Sequence, residues 1–172
     1  MNVEDISMQL QAFADWVQSS SVGQAMGASP DLFPLIESLH VLFVAVMMGT
    51  VAFVDLRLMG LINVARPVSK TLREMLPFTV GSFLVVVVTG TLLWTAHPLQ
   101  YLQNGPFIAK MLLLVAAGIN ILFFHGVTQR SMGRWDLGKV PVQALLAGCT
   151  SLLLWIAVVA CGRWIGFTYS PL

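Results

Sequence analysis

The sequence predicts an all-α integral membrane protein: an up-down bundle of four transmembrane helices with a short N-terminal amphipathic helix at the interface. Three observations point there. Of 172 residues, 57% are hydrophobic and only 10% are charged, where a soluble domain has roughly 45–50% and about 25%. Mean hydropathy is +0.82. The apolar residues gather into four runs of about 20 residues or more, the length that crosses a hydrocarbon core. A net charge of +1 gives no electrostatic basis for binding nucleic acid.

The elements follow in order. Residues 1–31 read as an extracytoplasmic amphipathic segment and linker. Ile6, Leu10, Phe13 and Val17 recur at helical spacing with Trp16 beside them, as in a helix lying on a membrane surface. The segment lacks the basic start and apolar stretch of a signal peptide. "SSSVGQAMGASPD" reads as the linker. Residues 32–165 form the bundle, and 166–172 an extracytoplasmic tail. The spans run from Leu32 to Ile62, from Pro77 to Thr95 (with "SKTLREML" as an earlier alternative start), from Pro106 to His125 and from Val140 to Gly162. Pro77, Pro106 and Pro141 each read as a helix start, where a missing N–H costs nothing. Short connections make neighbouring spans antiparallel. Gly49, Ala52 and Gly60 are positions where small side chains permit close helix contact.

Lysine and arginine set the orientation. Arg57, Arg66, Lys70 and Arg73 lie in the first connection and Arg130, Arg134 and Lys139 in the third, while the second connection and the N-terminal tail hold none. The positive-inside rule then puts both termini of a multi-pass protein outside the cytoplasm. Trp94, Tyr101, Trp164 and Tyr169 read as an outer aromatic belt, and Trp135 as its inner counterpart. Cys149 and Cys161 are twelve helical residues apart, about 18 Å, too far for a disulfide.

Ionisable residues inside a span are costly and mark sites. On the first span Glu37, His40, Met47, Val51 and Asp55 fall within about 80° of one another at 100° per residue, one stripe facing the bundle interior. On the third, Lys110 lies one turn below the outer end, at a depth of about 6 Å like Glu37, with His40 at about 10 Å. The outer half therefore gathers a carboxylate, an imidazole and an ammonium, with His97 ending the second span at the surface. The inner half gathers a second polar cluster of Asp55, Arg57, Asn120 and His125, with Glu74 nearby. Plainer roles stand beside these: a Glu37–Lys110 ion pair, rim charges at Arg57, Glu74 and Arg130, interfacial His97 and His125, and a His40 that hydrogen-bonds a carbonyl or Glu37. No phosphate-binding loop, nucleophile elbow, zinc-type Cys/His cluster or methionine-rich copper site is present.

"IESLH", "VDLRLMGL" and "FIAKMLLL", within a likeness covering nearly the whole chain, resemble an uncharacterised family of small four-helix bacterial inner-membrane proteins. A more distant likeness concerns chemistry. The early His of the first span, a glycine nine residues later, an Arg-Leu pair at its inner end, and a Lys opening the third span resemble HemJ-type protoporphyrinogen oxidases and CopD-type membrane domains. The loops and the N-terminal segment depart from the HemJ pattern. That resemblance implies a b-type haem with His40 as iron ligand and Lys110 needed for activity. Lys110 would pair with a propionate or ligate the iron, Glu37 would orient His40 or compete for Lys110, and His97 is a further candidate ligand. The expected function is electron transfer, or redox chemistry on a quinone or hydrophobic substrate, in the bilayer or with a redox partner protein. The alternatives are CopD-like transport of copper or a small solute, and a non-catalytic subunit of a larger membrane complex.

Overall fold

The computed structural model describes residues 3–62, 65–128, 132–133, 135–136, 138 and 140–168. They form an all-α fold. Helix α1 spans Val3–Gln18, α2 Ser21–Ala28, α3 Leu32–Leu58, α4 Val68–Ala96, α5 Pro98–Leu102, α6 Gly105–Phe123 and α7 Val142–Thr168, with a π-helical turn, Phe124–Thr128, ending α6. Four of these helices, α3, α4, α6 with its π turn, and α7, are long and apolar enough to cross a membrane. Leu42, Leu84, Leu112 and Leu153 stand exposed on them, the side chains a bilayer solvates.

Two antiparallel hairpins make the bundle. Helix α3 packs along α4 and α6 along α7, and the hairpins join where α3 meets α7. Helices α4 and α6 are not packed against one another, so the bundle has an open seam. The α3–α7 contact is close because Gly148 has no side chain: a Cβ there would lie 3.1 Å from both the Asp55 carbonyl and the Leu58 Cβ. Gly49, expected to permit such contact, instead faces open space. Polar staples reinforce the pairs: Thr79 donates to Thr50 at 2.8 Å between α4 and α3, and Asn120 donates to the Ala147 carbonyl at 3.0 Å between α6 and α7.

Several boundaries differ from the sequence reading. Residues 21–28 are a helix, not a linker. Ser20 caps it by accepting from the Gly23 N–H at 3.1 Å, and Met26 buries against Leu93 and Ala96 of α4. Pro77 lies inside α4, not at its start. The helix begins nine residues earlier because its first turn is held from outside. Val68 N–H donates to the Asp136 backbone carbonyl, and Ser69 donates through its N–H (2.7 Å) and hydroxyl (2.5 Å) to the Asp136 carboxylate. Asp136 thus caps α4 from a distant part of the chain, meeting N–H groups a helix leaves unsatisfied. Partial burial opposes its charge, but those hydrogen bonds and the Arg57 guanidinium hold its carboxyl below the usual range.

Trp135 is not a belt residue: it is buried with Leu58, Val68, Phe124 and Ala144 in a cluster at this basic end. Tyr169 of the expected belt, and Arg130, Arg134 and Lys139 of the basic loop, lie outside the described residues. Helix α7 continues to Thr168, past the expected end of the bundle at 165, and Thr168 receives a hydrogen bond from Asn104 at 3.0 Å. Helix α3 stops at a reversal where Gly60 takes φ +73°, and Leu61 N–H reaches back to the Leu56 carbonyl at 3.0 Å, the αL closure that favours glycine. Both cysteines are free.

Candidate functional site

The half of the bundle nearer the termini is built around His40. Its Nδ1 lies 2.9 Å from the Thr89 hydroxyl of α4. That hydroxyl has one hydrogen to give, and the Val85 carbonyl takes it at 2.7 Å. With that hydrogen on Val85, Thr89 accepts from the His40 Nδ1–H, and the Val86 carbonyl also hydrogen-bonds the ring. In this tautomer Nε2 is the nitrogen that carries the lone pair. Gly90 makes room for it, since a Cβ there would sit 3.1 Å from His40 Cε1. Thr89 is buried and His40 half-buried.

Lys110 lies in the same half. Its Nζ would be 3.8 Å from a Cβ at Gly162 of α7, and its charge acts on His40. Among the described residues it makes no ion pair; the pair formed there is Arg66–Glu74, at 3.5 Å near the surface. Glu37 is exposed and does not reach Lys110, which answers the expected pairing. It lies one turn from the helix start, exposed, while His40 one turn further on is half-buried. His97 lies elsewhere. It lines a surface cavity of about 300 Å³ with Met26, Pro30 and Phe33, eight residues beyond Thr89, or about 12 Å along the helix.

The other half holds the second polar cluster, and the structure divides it. Arg57, 2% exposed, is no rim charge. It donates to the Arg66 carbonyl from Nη2 at 2.6 Å and Nε at 3.2 Å, fastening the first connection. Glu74 is occupied by Arg66. Asp55, Asn120 and His125 do come together, lining a cavity of about 240 Å³ in the seam between α4 and α6. Asp55 is 5% exposed. The Ser151 hydroxyl of α7 faces its carboxyl, yet Oδ2 has no hydrogen-bond partner among the described residues. His125 sits in the π turn, where Nδ1 is 2.9 Å from the Ile121 carbonyl. A carbonyl only accepts, so Nδ1 holds the proton here too. Thr89, Gly90, Ser151 and Asp136 were not singled out from sequence. Hydroxyls and glycines are ordinary in membrane helices, and only the pairing of helices gives these four a role.

The fold defines a helical bundle that has four helices long and apolar enough to cross a membrane and holds two separate polar clusters. Within that class, the chain belongs to DUF6644, a family of unknown function whose profile matches residues 13–168. Neither a curated protein nor a solved structure matches it.

Proposed function

We propose that this protein holds one b-type haem in the half of the bundle that contains His40 and Lys110, and that it serves electron transfer or redox chemistry on a quinone or hydrophobic substrate. The observation that carries this is the placement of His40: an imidazole inside an apolar span whose Nδ1 is held 2.9 Å from the Thr89 hydroxyl, in the tautomer that leaves Nε2 to ligate a metal. Metal-ligating histidines almost always donate their other ring N–H to such a partner, and imidazole is a common axial ligand of haem iron. The likeness of the first and third spans to HemJ-type enzymes supports the same assignment.

The residues present fit the group. His40 supplies the ligand nitrogen, Thr89 holds its tautomer and orientation, and Gly90 keeps bulk away from the ring. Lys110, an ammonium with no ion pair among the described residues, supplies the positive charge a propionate needs. His97 drops out as a partner of His40 on one iron, because the two rings sit at different levels. When bound, haem supplies one-electron exchange, and the protein sets its potential through ligand, burial and charge. The test is the absorption spectrum of the purified protein.

The orientation belongs to the same proposal. We place the His40 half outward in a bacterial inner membrane, with both termini outside the cytoplasm, because seven basic residues lie in or beside the first and third connections and none in the second. In a background lacking Cys149 and Cys161, a cysteine at Gln103 should react with an impermeant thiol reagent in intact spheroplasts, and one at Ser131 should not. The reverse pattern would invert the topology.

A further inference from the structure

We infer that the cavity between α4 and α6 binds a lipophilic primary or secondary ammonium ion, delivered sideways from the bilayer and paired with Asp55. This is independent of the haem proposal and concerns the other half of the bundle.

The chemistry of the lining is one-sided. Asp55 offers an unpartnered Oδ2 from a side chain 5% exposed. His125 has its ring proton engaged by Ile121 and leaves Nε2 as an acceptor. Asn120 donates one of its two amide N–H groups to Ala147 and keeps its carbonyl oxygen. Thr79, the hydroxyl α4 contributes, donates elsewhere, to Thr50. The acceptors are led by the Asp55 carboxyl oxygen, and together they favour a ligand bearing N–H groups.

Charge narrows the class. A carboxyl removed from water needs a partner, and among the described residues Asp55 has no ion pair. The nearest guanidinium on its own helix, Arg57, is directed to the Arg66 carbonyl. The remaining walls are apolar and include Phe83, Phe124 and Trp155, faces that attract a desolvated cation. The entrance faces lipid: Leu76, Val80 and Phe83 on α4 and Ile121 on α6 are 41–49% exposed at its rim. About 240 Å³ admits a compact amine with one ring, not a lipid headgroup with its chains.

The test uses the full-length protein in lipid nanodiscs and a matched pair of fluorinated probes, 4-(trifluoromethyl)benzylamine and the corresponding benzyl alcohol, followed by fluorine NMR. The amine should bind saturably, at least tenfold tighter than the alcohol. Asp55→Asn, which keeps shape and the Ser151 contact, should weaken the amine at least tenfold while leaving the alcohol unchanged and the thermal transition held or raised. Val80→Trp, which fills the entrance from an exposed position, should block both probes. Equal affinity of amine and alcohol, undiminished amine binding by Asp55→Asn, or tighter binding of a neutral short-chain hydroquinone would overturn the assignment. So would absence of saturable binding to folded wild type, including particles of two chains in which a second copy covers the seam.

Discussion

His40→Ala is expected to yield a folded protein with no b-type absorption, the largest single effect in this molecule. Removing the imidazole removes the ligand nitrogen, and no other histidine stands in for it. His97 lies about 12 Å along α4 from the level of Thr89, and His125 lies fifteen residues along the α6 segment from Lys110, about 22 Å. The variant should still fold, because Thr89 keeps its bond to the Val85 carbonyl and no buried donor is orphaned. Thr89→Val is the graded companion. It removes the acceptor that fixes the ring, and loss of such a supporting partner typically weakens metal binding about 10–100-fold. Optical spectra and haem content of the two variants beside wild type measure both effects. A His40→Ala protein with an unaltered spectrum would assign the iron to another residue.

Lys110→Met is expected to separate stability from haem retention. A lysine at the membrane centre costs about 2.5–3.5 kcal/mol on insertion scales, and less nearer the interface. Losing it therefore relieves the helix of a charge, and the thermal transition of the haem-free protein should hold or rise. Haem retention should fall at least tenfold, because the propionate loses its counter-charge. Glu37 discriminates this from a structural ion pair. It is exposed and not paired with Lys110, so Glu37→Gln should be silent and the double variant as defective as Lys110→Met alone. Recovery of stability in the double variant would instead identify a buried pair, since removing both members costs less than removing one. Thermal unfolding and haem titration of the two singles and the double give the answer.

The four spans and their antiparallel order were legible because hydropathy and loop length dictate them directly. So was the inward face of α3: His40, Met47 and Asp55 turn towards the bundle, as helical periodicity requires. Glu37 was misplaced because periodicity ignores depth, and a carboxylate near a helix end finds water more cheaply than a partner. Pro77 was not the start; the earlier alternative at "SKTLREML" matches the first turn of α4, and what the sequence does not display is its cap, Asp136, sixty-seven residues away from Ser69. Arg57 looked like a rim charge for the same reason, since its acceptor is a backbone carbonyl that sequence does not display. The cavity beside Asp55 depends on which helices fail to touch, and hydropathy carries no information about that.

Haem content of the wild-type protein tests the account most directly. Purified from a host supplied with haem precursors, or reconstituted with excess haemin and passed through a desalting column, it should retain one b-type haem per chain by pyridine haemochrome assay, with a reduced-minus-oxidised spectrum of the b type. A folded, monodisperse protein that retains none after reconstitution would contradict the central claim and leave His40 as an imidazole that only ties α3 to α4.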